Sequence, residues 1–576
     1  MHLVDWPIFR DRRLAAGIDV LGFWLAPVLL GLSGAFLLGP DANWDLANYH
    51  YYIPWALLNG RIDYDVVPAG EFQNFINPLI DVPFYWANNH LPGRLIAFCL
   101  ALVQGLAISA IYRMARRLLF PRPLAGEALA ALAVSFVSIA GGYSLLEIGT
   151  TFYDYVGATM TAICLALLMP RDVGAATPSA PRLSRAALAG FVIGSAAGLK
   201  ATNIFAPAAI ALALPLLVMH TRGATRVIIV FIAAEIAGAL AFGGGWAWFL
   251  WHHFESPVFP LLNGIFHSPF APRCDFSIHE MRHTPHGWWE WLFFPFVVLF
   301  DPKHGGLYLW RGDPRLASLF IAVPVGLLLL AVTRDGHPSE RQTRRRFLLF
   351  LLAALGLGYL LWLILFAYQR YALLLEVMAP LACVLVVAEL PWPRWRVPIG
   401  AAVLIGLVST FSVVSWPRGE WSKAGGQIVH ATLPDIGLRG DELILMRRRP
   451  ESFLAPWFPA GTRFVQFSPL LSGRELLRKF EPKAACLLAK QQGRIFVLMS
   501  SAAFQTPWTK APFLETYGLR MSASECREIG STIQPDGPYQ LCPVYRVAPP
   551  DQGACGPASI RPIPAAAPEE CPLPAK

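Results

Sequence analysis

The sequence predicts an all-α polytopic membrane protein with a small C-terminal α/β domain. Three observations predict it: apolar runs long enough to cross a bilayer, arginines gathered between alternate runs, and a change of character after residue 416. Of 576 residues, 55% are hydrophobic and only 15% charged. A soluble globular chain is about a quarter charged. The net charge of +9 does not point to nucleic acid, because the arginines sit in short clusters between apolar runs rather than on one stripe.

A spanning helix takes roughly 20 apolar residues, and on that measure about eleven spans are expected. They lie near 16–38, 94–112, 124–143, 154–169, 186–199, 203–219, 227–250, 317–333, 347–367, 371–390 and 397–416. Gly198-Leu199-Lys200 makes a tight break between the fifth and sixth. The first run is too long for a signal peptide and leads into an Asp- and Tyr-rich loop with no small-residue cleavage site.

Orientation follows from the basic residues. One set of connections carries Arg10, Arg12, Arg13; Arg113, Arg116, Arg117, Arg122; Arg171, Arg182, Arg185; Arg222, Arg226; Arg334, Arg341, Arg344, Arg345, Arg346; and Arg394, Arg396. The alternate short connections carry almost none, apart from Lys200 and Arg370. The excess places the first set in the cytoplasm. An odd number of spans then places 417–576 outside, in the periplasm of a bacterium. Three domains are expected: 1–416 in the membrane, with outer loops 39–93 and 251–316; an α/β domain over 417–549; and a disordered Pro/Ala-rich tail over 550–576.

In the C-terminal region, Glu442–Met446, Arg463–Phe467 and Arg494–Met499 read as strands, and 470–480 and 511–518 as short helices. Cys526 and Cys542 flank a turn region and could form a disulfide in an oxidising compartment; two free thiols are the alternative. Cys555 and Cys571 have no obvious partners. Cys99, Cys164, Cys274 and Cys383 are too scattered for a metal-site pattern.

The first outer loop begins Asp41-Ala-Asn-Trp-Asp45-Leu-Ala-Asn48-Tyr49-His50-Tyr51-Tyr52. Asp41 and Asp45 are four apart and share a face if helical. A carboxylate beside the low-dielectric slab must be paired, solvated or functional, and can serve as a general base. Read alone, the same residues also fit a solvated, aromatic interface.

Read further, the chain resembles a known family. The run Trp44-Asp45 to Tyr52, then Asn59-Gly60-Arg61 and Phe75-Ile-Asn77-Pro78-Leu79, is similar to the first periplasmic loop of a bacterial branch of the GT-C glycosyltransferase superfamily, the family 87 or mannosyltransferase-like branch. Gly198-Leu199-Lys200-Ala-Thr202-Asn203, Ser256-Pro257-Val-Phe259-Pro260 through Ser268-Pro269, and Gln369-Arg370-Tyr371 resemble other elements of that branch. The resemblance covers roughly 16–416. It implies a GT-C-like bundle and transfer of a sugar, hexosyl or pentosyl, from a polyprenyl-phosphate-linked donor to the hydroxyl of a glycan or glycolipid acceptor at the periplasmic face.

The resemblance also implies roles. An acidic residue of the first outer loop deprotonates the acceptor: Asp45 first, Asp41 second. Asp154, opening the fourth span, and Glu147 could orient the acceptor or cooperate with Asp45; helix N-capping is the plainer role for Asp154. Lys200 and Arg370 are assigned to the phosphate, where fixed positive charge absorbs developing negative charge; interfacial snorkelling is the plainer role for both. Asn48, Tyr49, His50, Arg282 and Tyr371 complete the expected substrate contacts. No cofactor is required on this reading, although two carboxylates on separate loops could hold a divalent cation.

Two other classes compete. His279-Glu280-Met-Arg282-His283 matches the zinc-protease pattern H-E-x-x-H, but Pro285 curtails the helix and no third ligand is placed by spacing. A transporter or flippase of lipid-linked sugars would favour inverted repeats and charges at mid-membrane; no repeat is visible, and only Glu235 and Glu376 lie within spans.

Overall fold

Apolar runs with few charges can leave water only as helices whose backbone groups pair internally. In a computed structural model of the chain, such runs form, among the described residues, seven helices long and apolar enough to cross a membrane: Arg12–Phe36, Gly93–Leu118, Ala201–Val218, Ala224–Phe254, Pro314–Val332, Gln342–Leu365 and Gln369–Ala388. The chain is thus a multi-pass membrane protein. The structure describes residues 7–70, 72–170, 180–219, 221–271, 283–306, 312–333, 339–409, 418–421, 426–446, 450–466, 480–500, 514, 517–535, 537–549 and 555.

The seven coincide with expected spans. Three more expected spans appear as the shorter apolar helices Ala125–Ile139, Asp154–Leu168 and Leu183–Leu199. At 1.5 Å per residue these reach only about 22–26 Å, less than the roughly 30 Å of hydrocarbon. The eleventh overlaps the helix Pro393–Ser409, and its end lies outside the described residues. The helix Gly287–Phe300 carries Trp288, Trp289 and Trp291 exposed.

The chain divides into two compact units. The first comprises Met1–Leu37, Phe98–Gly245 and Ile278–Ser415. Its central element is the helix Leu373–Ala388, in which every residue from Leu373 to Val387 is buried. The helices Leu183–Leu199 and Ala224–Ala239 approach each other through Gly190, Gly194 and Gly198. A Cβ at any of the three would collide with the main-chain oxygen of Phe231, Glu235 or Ala239 respectively. Small residues four apart let helix backbones meet in this way.

The second unit comprises Leu38–Ala97, Trp246–Ser277 and Trp416–Lys576. Among its described residues is a seven-stranded sheet: β1 (Ala431–Thr432), β2 (Leu443–Met446), β3 (Arg463–Gln466), β4 (Ile495–Ser500), β5 (Leu519–Met521), β6 (Arg527–Ser531) and β7 (Tyr539–Arg546), in the order β1-β6-β7-β4-β2-β3, with β5 also on β7. β2 pairs in parallel with β3 and β4, and β4 runs antiparallel to β7. β2 and β4 are buried along their whole length, as strands covered on both faces are.

β2, β3 and β4 match the three expected strands to within a residue or two. Of the two expected helices, 470–480 and 511–518 lie almost wholly outside the described residues; the helix between β3 and β4 is Glu481–Lys490. The first outer loop joins this unit. Val66 and Val67 pack with Phe254, Phe259, Leu443, Leu445, Val465 and Val497 in one core, and Val66 extends the sheet beside Val465.

Among the described residues, two disulfides are formed. Cys526 pairs with Cys542, which resolves the open alternative. Cys555 pairs with Cys486, correcting the expectation that it has no partner. The two cysteines are 69 residues apart, so only folding brings them together.

Candidate functional site

In the first unit, three chain breaks bring charged side chains together. The first is at Lys200. The helix Leu183–Leu199 ends there as the backbone becomes extended (φ −144°, ψ 111°); a 3-10 turn over Ala201–Asn203 follows, then the next helix. The second lies before Asp154, where Tyr153 is left-handed (φ 61°) and the helix Asp154–Leu168 begins. The third is the 3-10 turn Gln369–Ala372 that opens the central helix and carries Arg370.

Asp154 does not cap its helix with its side chain. Its carboxylate meets two cations instead. Lys200 Nζ donates to Oδ1 at 2.5 Å and to the Phe152 carbonyl at 2.7 Å. Arg370 Nε lies 3.2 Å from Oδ2. The side chains are 3% (Asp154), 12% (Lys200) and 9% (Arg370) exposed. Neither cation therefore extends to water as a snorkelling side chain would. The Arg370 guanidinium lies over the ring of Phe152 at 4.6 Å and near Tyr371 at 5.5 Å, and Lys200 lies 5.7 Å from the Tyr371 ring.

Glu147 joins this cluster. It is fully buried, and its Oε2 accepts from the Tyr155 N–H at 3.1 Å. Gln104 fixes the loop from both sides: its Nε2 donates to the Glu147 carbonyl at 2.7 Å, and its Oε1 accepts from the Gly149 N–H at 2.9 Å. Burial, and next the Asp154 charge, push the Glu147 carboxyl well above the usual carboxylate range, against the lowering by Lys200 and Arg370. Two cations against the Asp154 carboxylate, beside a Glu147 that burial pushes toward its neutral form, favour a surplus of positive charge in apolar surroundings. Such a site suits an anion with several oxygens, such as a phosphate.

The remaining expected residues lie in the second unit. Asp41 is buried, and its two oxygens accept from the Asn43 side-chain amide at 2.7 and 2.8 Å. Asn43 Oδ1 in turn accepts from the Leu46 N–H at 2.7 Å, holding the helical turn that carries Asp45. Asp45 is half-buried. Asn48, Tyr49 and His50 are buried. His50 Nδ1 sits 2.7 Å from Asp81 Oδ1, and Ser452 Oγ donates to the Asn48 carbonyl. Arg282, His279 and Glu280 lie outside the described residues. His283 Nδ1 lies 3.0 Å from the His304 carbonyl. Among the described residues, no group of three or more His, Cys, Asp or Glu side chains is arranged to hold a metal ion.

The structure thus brings Asp154, Lys200, Arg370, Glu147 and Tyr371 together in one unit, and Asp41, Asp45, Asn48, Tyr49 and His50 into the other. Sequence reasoning missed Phe152, Gln104 and Asp81. Phe152 stands two residues from Asp154 and had a local signal in its position. Gln104 and Asp81 act across long sequence gaps and had none.

No family model matches the chain, and no curated protein matches it. Solved structures do resemble it. ArnT from Cupriavidus metallidurans in the apo state has a TM-score of 0.41 and 14% identity over 94% of this chain and 99% of that one. The same protein bound to undecaprenyl phosphate has a TM-score of 0.39 and 14% identity, over 95% and 99% of the two chains. The archaeal oligosaccharyltransferase AglB from Archaeoglobus fulgidus, in complex with an inhibitory peptide and a dolichol-phosphate, has a TM-score of 0.44 and 13% identity, over 90% and 73%. Similarity at this level assigns neither family nor activity.

Proposed function

We propose that this chain is a GT-C-type glycosyltransferase of the bacterial inner membrane, moving a sugar from a polyprenyl-phosphate-linked donor to an acceptor hydroxyl at the periplasmic face. The observation that carries the reading is the buried convergence of Lys200 and Arg370 on Asp154, beside Glu147. Buried cations held ready by one carboxylate suit a lipid phosphate, which must be gripped in the donor and stabilised as it leaves.

In this reading Asp45 removes the proton of the acceptor hydroxyl. The freed oxygen attacks the anomeric carbon, and the sugar–phosphate bond breaks with its electron pair going to the phosphate oxygen. Lys200 and Arg370 take up that charge. Asp41 is the second choice for the base, but its oxygens already accept from Asn43. Asp154 holds the two cations in place. His50, Asn48, Tyr49 and Tyr371 contact substrate, and no metal is assigned.

Two features support an outward-facing second unit. Arginines concentrate on the opposite set of connections, those between the helices of the first unit that the charge excess assigns to the cytoplasm. The two disulfides suit an oxidising compartment.

The test is sugar transfer by purified protein in detergent, with a panel of polyprenyl-phosphate sugars and membrane glycan extracts. Transfer lost in Asp45→Asn while donor binding persists supports the reading and its base. Transfer unchanged in that variant moves the base to Asp41 or Asp154. No transfer from any donor, with lipid-linked sugar moving across sealed vesicles, replaces the enzyme by a transporter.

A further inference from the structure

Glu147 is the one acid of the cluster that faces no cation at hydrogen-bonding distance among the described residues. Its Oε2 accepts from Tyr155 N–H, and its Oε1 has no hydrogen-bond partner among them. It is fully buried. The titratable groups around it are Asp154 from the helix that begins there, Lys200 from the helix break, Arg370 from the start of the central helix, and Tyr143 and Tyr155 on either side. From the helix Gly93–Leu118 the uncharged Gln104 reaches the Glu147 carbonyl.

We propose that Glu147 enters this cluster protonated and donates its O–H to a non-bridging oxygen of the lipid phosphate held by Lys200 and Arg370. The proposal rests on the phosphate-site reading given above and assigns Glu147 a contact with the leaving group rather than with the acceptor.

Charge balance supports it. With Glu147 neutral, Lys200 and Arg370 outweigh Asp154 by one positive charge, which matches the single negative charge of a phosphodiester donor. With Glu147 ionised, the cluster has no net charge, and a bare carboxylate faces the phosphate. A buried charge is costly unless paired, and Lys200 and Arg370 are already paired with Asp154. Burial and the Asp154 charge push the carboxyl upward, which favours the protonated form. When the sugar–phosphate bond breaks, its electron pair stays on the phosphate, which gains one negative charge. The hydrogen bond from Glu147 then strengthens, because a hydrogen bond to an oxygen of the doubly charged phosphate is the stronger one. The acceptor proton still leaves through the base, so no proton is counted twice.

The experiment measures binding of undecaprenyl methyl phosphate, a phosphodiester whose charge does not change in the range used, to the full chain in detergent between about pH 5 and about pH 9. For the wild type, affinity falls by roughly tenfold to a hundredfold where pH rises far enough to ionise Glu147, the span of one hydrogen bond to a charged group. In Glu147→Gln, whose amide still donates but cannot ionise, that pH dependence disappears. In Glu147→Leu, binding is weak at every pH. Each variant is checked for a monodisperse peak. Wild-type affinity that rises with pH, a wild-type slope that Glu147→Gln reproduces, or Glu147→Leu binding equal to wild type overturns the proposal and leaves the phosphate site standing. Unchanged binding in Lys200→Ala/Arg370→Ala removes the phosphate site, and the proposal with it.

Discussion

Two buried ionic clusters, one in each unit, differ in a way that separates scaffold from site. In the second unit, Asp65 accepts four hydrogen bonds: Oδ2 from Tyr52 Oη at 2.8 Å and Arg61 Nε at 3.0 Å, Oδ1 from Arg61 Nη2 at 2.8 Å and the Phe464 N–H at 3.0 Å. Arg61 also reaches the Thr462 carbonyl and lies over the rings of Trp55 and Tyr64. Every acceptor position of that carboxylate is used. In the first unit, Glu147 uses one oxygen, and Asp154 is shared by two cations. Burial raises the carboxyls of both Asp65 and Glu147, so burial does not distinguish them. Coordination does. A fully satisfied buried pair ties strand to loop, whereas an under-coordinated one has capacity left for a ligand.

Four experiments would break or sharpen this contrast. The largest effect belongs to the proposed base: Asp45→Asn lowers transfer by roughly 100- to 10,000-fold, the range of general base catalysis, with donor binding retained. A variant as active as wild type removes Asp45 from the chemistry.

Next, Arg61→Ala leaves Asp65 buried without its cation and costs about 3–5 kcal/mol, as breaking a buried pair does. The readout is the thermal unfolding midpoint in detergent, measured beside donor binding by the folded fraction. A stability loss with binding preserved marks the Asp65 cluster as scaffold; lost binding with unchanged stability reverses the assignment.

Third, Lys200→Ala/Arg370→Ala lowers transfer by roughly 100- to 1,000-fold, the scale of losing preorganised charge at a leaving group. Arg370→Lys falls between wild type and Arg370→Ala, because an ammonium keeps the charge but not the planar fork that lies over Phe152. Equal loss in the lysine and alanine variants would mean that guanidinium geometry, not charge, is what the site uses.

The smallest effect tests a counterpart whose cation is exposed. Burial raises the Glu442 carboxyl, but the Arg439 N–H, the Arg494 guanidinium and the Gly440 N–H outweigh it and hold the group below its ordinary value. A depressed folded value contributes stability above the unfolded value of about 4.3, and that stability is lost as pH falls through the folded value. Arg494 is 45% exposed, so solvent screening keeps the contribution under about 1 kcal/mol. Acid melts of the wild type and Glu442→Gln should differ slightly above about pH 4.3 and converge below it. Identical melts throughout would assign the pair no role.

Much of the fold was legible because its signals are local. Long apolar runs dictate helices wherever they occur, and seven of spanning length stand where the hydropathy places them. β2, β3 and β4 were legible as short apolar runs. β7 was not, because it is broken by Pro543, which argues against a strand, and β6 is mostly exposed. Asp154, Lys200 and Arg370 were legible as isolated charges at the ends of apolar helices.

The sequence by itself therefore determined a multi-pass membrane protein, its helices, three of its strands and the residues from which a charged site is drawn, since each of these follows from composition within a few turns of chain. Only the tertiary structure decided which charges meet. It placed Lys200 on Asp154 across 46 residues, brought Arg370 to the same carboxylate, paired Cys486 with Cys555, and left Glu147 buried with one oxygen unused. Those outcomes depend on the close approach of distant segments and the desolvation that follows, and neither is encoded in any local stretch of the chain.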